Sequence, residues 1–199
     1  EQFRGIYGSY LRKILPFFTT IFVQNESSKN ILNEYKIQRV VVNGDLRYDK
    51  VSQTALHPRK VSVVEHFKNT GRVLVAGSTW AEDEQLIADC RLQIADYKFL
   101  IVPHEVNEIH ITNVLKLFPG AIRYSLISKE PVSTALNKLE EARALIIDNI
   151  GMLSNLYQYA DIAYIGGGFG AGIHNILEAV AFGVPVIFGS NHHKFPEAN

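Results

Sequence analysis

From Arg72 onward the chain alternates short apolar runs with helical patterns, and this alternation restricts the possible folds more than any other feature. The runs at 73–76, 99–102, 122–125, 145–147, 162–165 and 184–188 read as strands. Between them, 81–97, 107–118, 152–160 and 175–182 read as helices, the first with Leu86, Ile87, Cys90, Leu92 and Ile94 available for burial. Strands that alternate with helices imply a parallel sheet covered on both faces. The expected fold class is α/β, a Rossmann-like parallel sheet with helices on both faces.

Ligands of such sheets sit beyond the C-terminal strand ends. The chain places its unusual polar residues there. Ser78 and Thr79, in an expected turn at 77–79, follow the first strand. Pro103, His104 and Glu105 follow the second, residues 148–153 the fourth, and a glycine-rich turn the fifth. That turn reads Gly166-Gly167-Gly168-Phe169-Gly170-Ala171-Gly172-Ile173-His174-Asn175-Ile176-Leu177-Glu178. A strand, a glycine turn and a helix form the local geometry for holding a phosphate, because glycine lets the backbone approach an anion and a helix N-terminus presents N–H groups. Glycines 166–168 alone fit a plain tight turn equally well. The added His-Asn-x-x-Glu sharpens the pattern. Asn175 and Glu178, three apart, are expected to share a helix face, with the carboxylate able to accept both ribose hydroxyls.

Lys plus Arg and Asp plus Glu balance at 20 each, so net charge offers no case for a nucleic-acid partner. The single cysteine, Cys90, excludes an internal disulfide and a cysteine metal site, and a reducing setting is expected. The apolar runs at 14–23 and 179–189 fall short of the ~20 residues of a spanning helix.

Upstream, 3–18 reads as a helix whose Tyr7, Tyr10, Leu11, Ile14 and Leu15 could form one stripe among basic residues. It either docks on a core or meets lipid or a partner domain. A strand at 20–23, a helix at 27–35 capped by Ser27 or Ser28, and a strand at 39–42 follow. Residues 44–51 read as a polar connection, with a domain boundary near 45, and His57-Pro58 interrupts any helix.

Several residues carry two readings. Glu84 and Glu105 could pose as general bases, but Glu84 reads as a solvated or capping carboxylate in a first helical turn. His192-His193 reads as a solvated loop rather than a metal site. Trp80 stacks on a base or packs. Asp148 caps the following helix or touches ligand. His174 contacts ligand or orients its loop.

The ordered set of short motifs resembles the 3-deoxy-D-manno-octulosonic acid (Kdo) transferases, glycosyltransferases of the GT-B fold. The matching pieces are Phe22-Val23-Gln24 with Ser27 or Ser28, Gly44-Asp45-Leu46-Arg47-Tyr48-Asp49, Ala76-Gly77-Ser78-Thr79-Trp80 with Asp83-Glu84, and Pro103-His104-Glu105. They continue with Asp148-Asn149-Ile150-Gly151-Met152-Leu153, Leu156-Tyr157, the stretch from Gly166 to Glu178, Gly183-Val184-Pro185-Val186-Ile187, and Lys194-Phe195. Two departures stand out. The chain is one residue shorter between Phe169 and His174, with Ile173 where a second glycine is common, and Ala179 replaces a common proline.

The resemblance implies a CMP-Kdo donor, a lipid A precursor as acceptor, inversion at the anomeric carbon, no metal and no further cofactor. It implies CMP contacts from Pro103, His104, Gly151, Met152, Leu153, Asn175, Ile176, Leu177 and Glu178, with Gly167, Gly168 and His174 as a possible phosphate loop. The family's catalytic base is a glutamate in a glycine-rich motif of the N-terminal domain, and no such motif occurs in this sequence. Residues 1–45 are therefore expected to be a remnant of the acceptor domain. Residues 46–199 are expected to be the CMP-sugar-binding domain, truncated at its C-terminus, soluble, and without transfer activity alone. For the full-length protein the resemblance implies the cytoplasmic face of the bacterial inner membrane, met through the missing domain. The same features leave open the donor half of a UDP-sugar GT-B enzyme, or a non-catalytic nucleotide-binding module.

Overall fold

The computed structural model describes residues 5–69, 71–193 and 195–198. Its contacts divide the chain into two units, Glu1–Lys50 and Val51–Asn199.

The first unit contains α1 (Gly5–Ile14), a 3₁₀ turn at Leu15–Phe17, β1 (Ile21–Val23), α2 (Glu26–Glu34) and β2 (Val40–Val42). β1 and β2 pair in parallel with Ile21 opposite Val40. Leu32, Ile37 and Val40 form a small core against which Leu15, Ile21, Val23 and Tyr35 pack. Of the expected stripe, Leu15 joins this core while Tyr10 and Leu11 are exposed. Phe3, Arg4 and the Tyr7 side chain lie outside the described residues. The cap of α2 is Asn25, not Ser27 or Ser28: Asn25 is extended and its Oδ1 accepts from Ser28 N at 2.8 Å.

α3 (Leu46–Leu56) spans the division between the units. The expected polar connection at 44–51 is thus largely helical. Asp45 explains the difference, since its carboxylate accepts from Arg47 N at 2.9 Å and caps the first turn. The helix stops just before His57-Pro58, as a pre-proline residue disfavours helical geometry.

The second unit continues with α4 (Ser62–Lys68), β3 (Arg72–Thr79), α5 (Ala81–Cys90), β4 (Tyr97–Pro103), α6 (Glu108–Leu117), β5 (Ile122–Arg123) and α7 (Tyr124–Ile127). Then come α8 (Val132–Glu141), β6 (Ala144–Ile146), α9 (Leu153–Leu156) with a 3₁₀ turn at Tyr157–Tyr159, β7 (Ile162–Ile165), α10 (Leu177–Val180), β8 (Val186–Phe188) and a 3₁₀ turn at Pro196–Ala198. The six strands form one parallel sheet in the order β5-β6-β4-β3-β7-β8.

Alternation along the strands sorts their side chains into two cores. Val73, Val75, Leu100, Val102, Leu145 and Ile147 face α4 and α8, where Phe67 and Leu139 are sealed from solvent. Leu74, Ala76, Phe99, Ile101 and Ile146 face α5 and α6 through Ile87, Ile111 and Val114. Each fully buried aliphatic or aromatic side chain contributes roughly 1.5–3 kcal/mol.

The differences from the sequence reading lie at element ends and in unexpected helices. α5 stops at Cys90 and Leu92 beyond it is exposed; within the helix Leu86 faces solvent while Ile87 is buried. β5 is two residues long because α7 begins at Tyr124. α8 has no counterpart in the sequence reading. It begins after Pro131 and buries Ala135 and Leu139, four apart, on one face.

Candidate functional site

The chain leaves β3 toward β4 on one side and returns to β7 on the other, so the loops after β3 and β7 diverge. A crevice at such a reversal is where open α/β sheets hold ligands. The expected turn at 77–79 is instead the end of β3. Ser78 adopts a φ of 54° and bulges, and Thr79 then pairs with Pro103.

The glycines let the two loops meet. A Cβ on Gly166 would lie 2.3 Å from the Ser78 carbonyl oxygen, and one on Gly168 would lie 2.5 Å from Gly189 N. Gly166 N donates to Gly77 O at 2.9 Å, Gly172 N to Gly167 O at 3.1 Å, and Asn191 N to Gly168 O at 2.9 Å. Close backbone packing therefore accounts for Gly166 and Gly168 without a ligand.

Two carboxylates beneath the loops are buried, Asp83 and Glu84, each at 1 % exposure. Asp83 Oδ2 accepts from Trp80 N and from Gly167 N, both at 2.9 Å, and Oδ1 accepts from the Tyr164 hydroxyl at 2.6 Å. Burial, then the Asp83 bond, pushes the Tyr164 phenol above its ordinary pKa, so it remains a donor. Glu84 is neither solvated nor placed as a base. Its Oε1 accepts from Thr79 Oγ1 and contacts His110 Nε2, both at 2.9 Å, joining β3, α5 and α6. The sequence carried a usable signal, because Asp83 and Glu84 precede the buried Ile87 and Ala88 by one helical repeat.

Three rings gather at the mouth of the crevice, each from a different strand end. His104 stacks on Trp80 with centroids 4.5 Å apart and on His174 at 4.6 Å. Trp80 Nε1 donates to His174 Nε2 at 3.3 Å. Burial, then the His104 ring, lowers the His174 pKa, against a smaller opposing pull from Asp83. Beside these rings lies a cleft of about 330 Å³, lined by Trp80, Asp83, Gly167, Phe169 and Gly170 among others.

The remaining expected site residues divide between rim and core. Pro103 is the buried end of β4, and His104 N donates to Thr79 O at 2.9 Å. Gly151, with a φ of 86°, is exposed, while Met152 and Leu153 are half-buried. Leu153 reaches β3, since a Cβ on Gly77 would come within 2.8 Å of Leu153 Cδ1. Asn175 lies before α10 rather than on its face, and its Oδ1 accepts from Leu177 N at 3.1 Å. That side-chain turn, with Gly183 at a φ of 71°, confines the helix expected at 175–182 to four residues. A helix so short has little macrodipole to offer a phosphate. Ile176 and Leu177 are buried, so contacts from them would run through backbone. Glu178 is half-buried, and with the larger effect of burial its carboxylate pushes the Tyr157 phenol up.

Asp148 caps the preceding α7, not the following helix. Its oxygens accept from Ser125 N at 2.9 Å, Ser125 Oγ at 2.5 Å and Arg123 Nε. Arg123 also meets both oxygens of Glu108, so one guanidinium joins β5, β6 and α6. Burial opposes the Asp148 charge, but the Ser125 and Arg123 bonds outweigh it and hold the pKa below the ordinary carboxylate value. His193 is exposed, whereas His192 is half-buried against Phe188, its Nδ1 buried without a hydrogen-bond partner among the described residues. Among those residues no three His, Cys, Asp or Glu side chains are grouped to hold a metal. Lys194 lies outside them, and no described helix is long and apolar enough to cross a membrane.

No family model matches the sequence. Among curated proteins, a 3-deoxy-D-manno-octulosonic acid transferase of Rickettsia bellii is 26 % identical over 189 residues, covering 93 % of this chain and 44 % of its own length. That of Rickettsia prowazekii is 28 % identical over 190 residues, covering 93 % and 40 %. A bifunctional glycosyltransferase/methyltransferase of Fusobacterium nucleatum is 29 % identical over 195 residues, covering 95 % of this chain and 29 % of its own. The chain thus spans about two fifths of the Rickettsia relatives. Among solved structures, the C-terminal CMP-Kdo binding domain of WaaA from Acinetobacter baumannii aligns with a TM-score of 0.53 and 19 % identity, over 75 % of this chain and 76 % of that one. The parallel α/β unit accordingly shares the fold of that domain. Along nearly its whole length the chain is similar to 3-deoxy-D-manno-octulosonic acid transferases.

Proposed function

We propose that this chain is the donor-binding half of a glycosyltransferase that moves Kdo from CMP-Kdo to a lipid A precursor. The observation that carries the reading is the meeting of Trp80, His104 and His174, from three strand ends, at the reversal of the parallel sheet. The matched relatives and the nucleotide-binding fold agree with it.

On this reading the exposed backbone around residues 150–153 pairs with the edge of cytosine, and Glu178 accepts the ribose hydroxyls. Asn175, His104 and His174 lie where a phosphate or the sugar carboxylate would sit, with the backbone at Gly167 and Gly168 as the floor. Negative charge builds on the phosphate as CMP leaves, and preorganised donors aimed there lower the barrier; loss of one such donor costs ~10²-fold in rate or more. Transfer would invert the anomeric carbon without metal or further cofactor, with the general base on an acceptor-side domain outside this sequence. That domain would also meet the lipid acceptor at the cytoplasmic face of the inner membrane. The chain alone would bind CMP and transfer no sugar.

Thermal unfolding with CMP and with UDP tests this. A ligand at 100 times its dissociation constant stabilises by about 2.7 kcal/mol, so CMP should raise the melting temperature clearly and UDP much less. Equal protection by UDP would favour a UDP-sugar enzyme. Protection by neither would remove the nucleotide reading, and turnover of CMP-Kdo by the isolated chain would remove the half-site reading.

A further inference from the structure

Trp80 and His174 meet in a way that fixes more than position. An indole N–H can only donate, so at 3.3 Å His174 Nε2 must be the acceptor. An accepting imidazole nitrogen carries no proton, which leaves the single ring proton on Nδ1. Protonating Nε2 would set two N–H groups against each other and abolish the contact.

The surroundings hold this arrangement. The Trp80 backbone N–H and the Gly167 N–H share the same Asp83 oxygen, so the indole and the loop carrying His174 hang from one buried carboxylate. His174 N donates to Gly166 O at 3.2 Å, tying the residue to the end of β7. The ionisable groups around the ring are His104 from the end of β4, stacked at 4.6 Å, and Asp83 from α5, whose charge is already met by three donors. Glu82 lines the neighbouring cleft.

We propose that Trp80 is a positioning residue that holds His174 as the neutral Nδ1–H tautomer, giving the rim a hydrogen-bond donor for an anionic ligand without a full positive charge. The proposal rests on the donor-nucleotide reading for its ligand, but not for its tautomer. Burial of the ring, then the neighbouring His104, lowers the His174 pKa and so favours the same neutral ring.

The test is nitrogen-15 NMR of the histidine rings in this chain without ligand. In the unsubstituted chain His174 should carry its proton on Nδ1, with Nε2 bare. Trp80→Phe keeps an aromatic ring against His104 but removes the N–H. It should shift His174 toward the Nε2–H tautomer. Trp80→Phe should weaken CMP binding several-fold at about pH 8, where the phosphate of CMP is doubly ionised in both measurements. An Nε2–H tautomer in the unsubstituted chain overturns the proposal, and needs no variant that folds. So does a folded Trp80→Phe chain with an unchanged tautomer. A chain that shows the Nδ1–H tautomer but binds no CMP overturns the nucleotide reading alone.

Discussion

Asp83 and Gly167 are 84 positions apart in sequence, yet the Asp83 carboxylate accepts the Gly167 N–H at 2.9 Å from within the core. The same carboxylate receives the Trp80 N–H and the Tyr164 hydroxyl, so one side chain from α5 sets the ends of both β3 and β7. One buried carboxylate therefore fixes the ends of both strands that border the crevice.

Replacing Asp83 with Ala leaves three buried donors without their acceptor. Bonds to a charged group contribute about 1.5–3 kcal/mol each and buried orphan donors carry their own penalty, so a net loss of about 3 kcal/mol or more is expected. For a chain of this size that lowers the melting temperature by roughly 6–12 °C. Asp83→Asn should lose less, since one amide oxygen still accepts. Thermal unfolding of the two variants gives the order directly, and a melting temperature unchanged in Asp83→Ala would contradict the role.

Two glycines separate close packing from backbone conformation. A Cβ on Gly166 meets the β3 backbone at 2.3 Å, so Gly166→Ala must part β3 from β7 and should cost more than about 3 kcal/mol. Gly151 has a φ of 86° but no atom within 4 Å of such a Cβ, so Gly151→Ala should cost only about 1–2 kcal/mol of backbone strain. Urea denaturation compares them, and the reverse order would mean that the two loops do not pack as described.

The central strands were legible because they are buried on both faces and read as unbroken apolar runs, as Val73 to Ala76 does. Element ends were not, since single side chains decide them. Asp45 turns a polar connection into helix, and the Asn175 turn cuts another helix to four residues. At the site, His104 and His174 were legible as polar residues after strands. The inward aim of Asp83 was obscured because Glu82, Asp83 and Glu84 all suit a helix N-terminus. The Trp80–His174 bond joins residues 94 apart, and only the folded sheet brings them together.

Asp148 should set part of the acid stability. Its folded pKa is lowered, so its contribution is complete above the unfolded value of about 3.9 and disappears as pH falls through the folded one. Asp148→Asn should therefore melt lower than the unsubstituted chain at neutral pH, and the gap should close toward about pH 2. A gap that stayed constant across that range would mean the carboxylate charge is not what Arg123 and Ser125 hold.

Glu178 provides the sharpest check on how a nucleotide would sit. Glu178 is half-buried on α10, and after the larger effect of burial its carboxylate acts on the Tyr157 phenol, which lies against Gly77 near the end of β3. If it accepts the ribose hydroxyls, Glu178→Gln should weaken CMP binding about tenfold, which is about 1.4 kcal/mol. The loss should be much smaller for 2′-deoxy-CMP, because the group that Glu178 recognises is already gone. Calorimetric titration of both ligands against both proteins closes the cycle. Equal losses for CMP and 2′-deoxy-CMP would show that Glu178 acts on the loop rather than on the sugar, and the ribose would then have to be placed elsewhere along the rim.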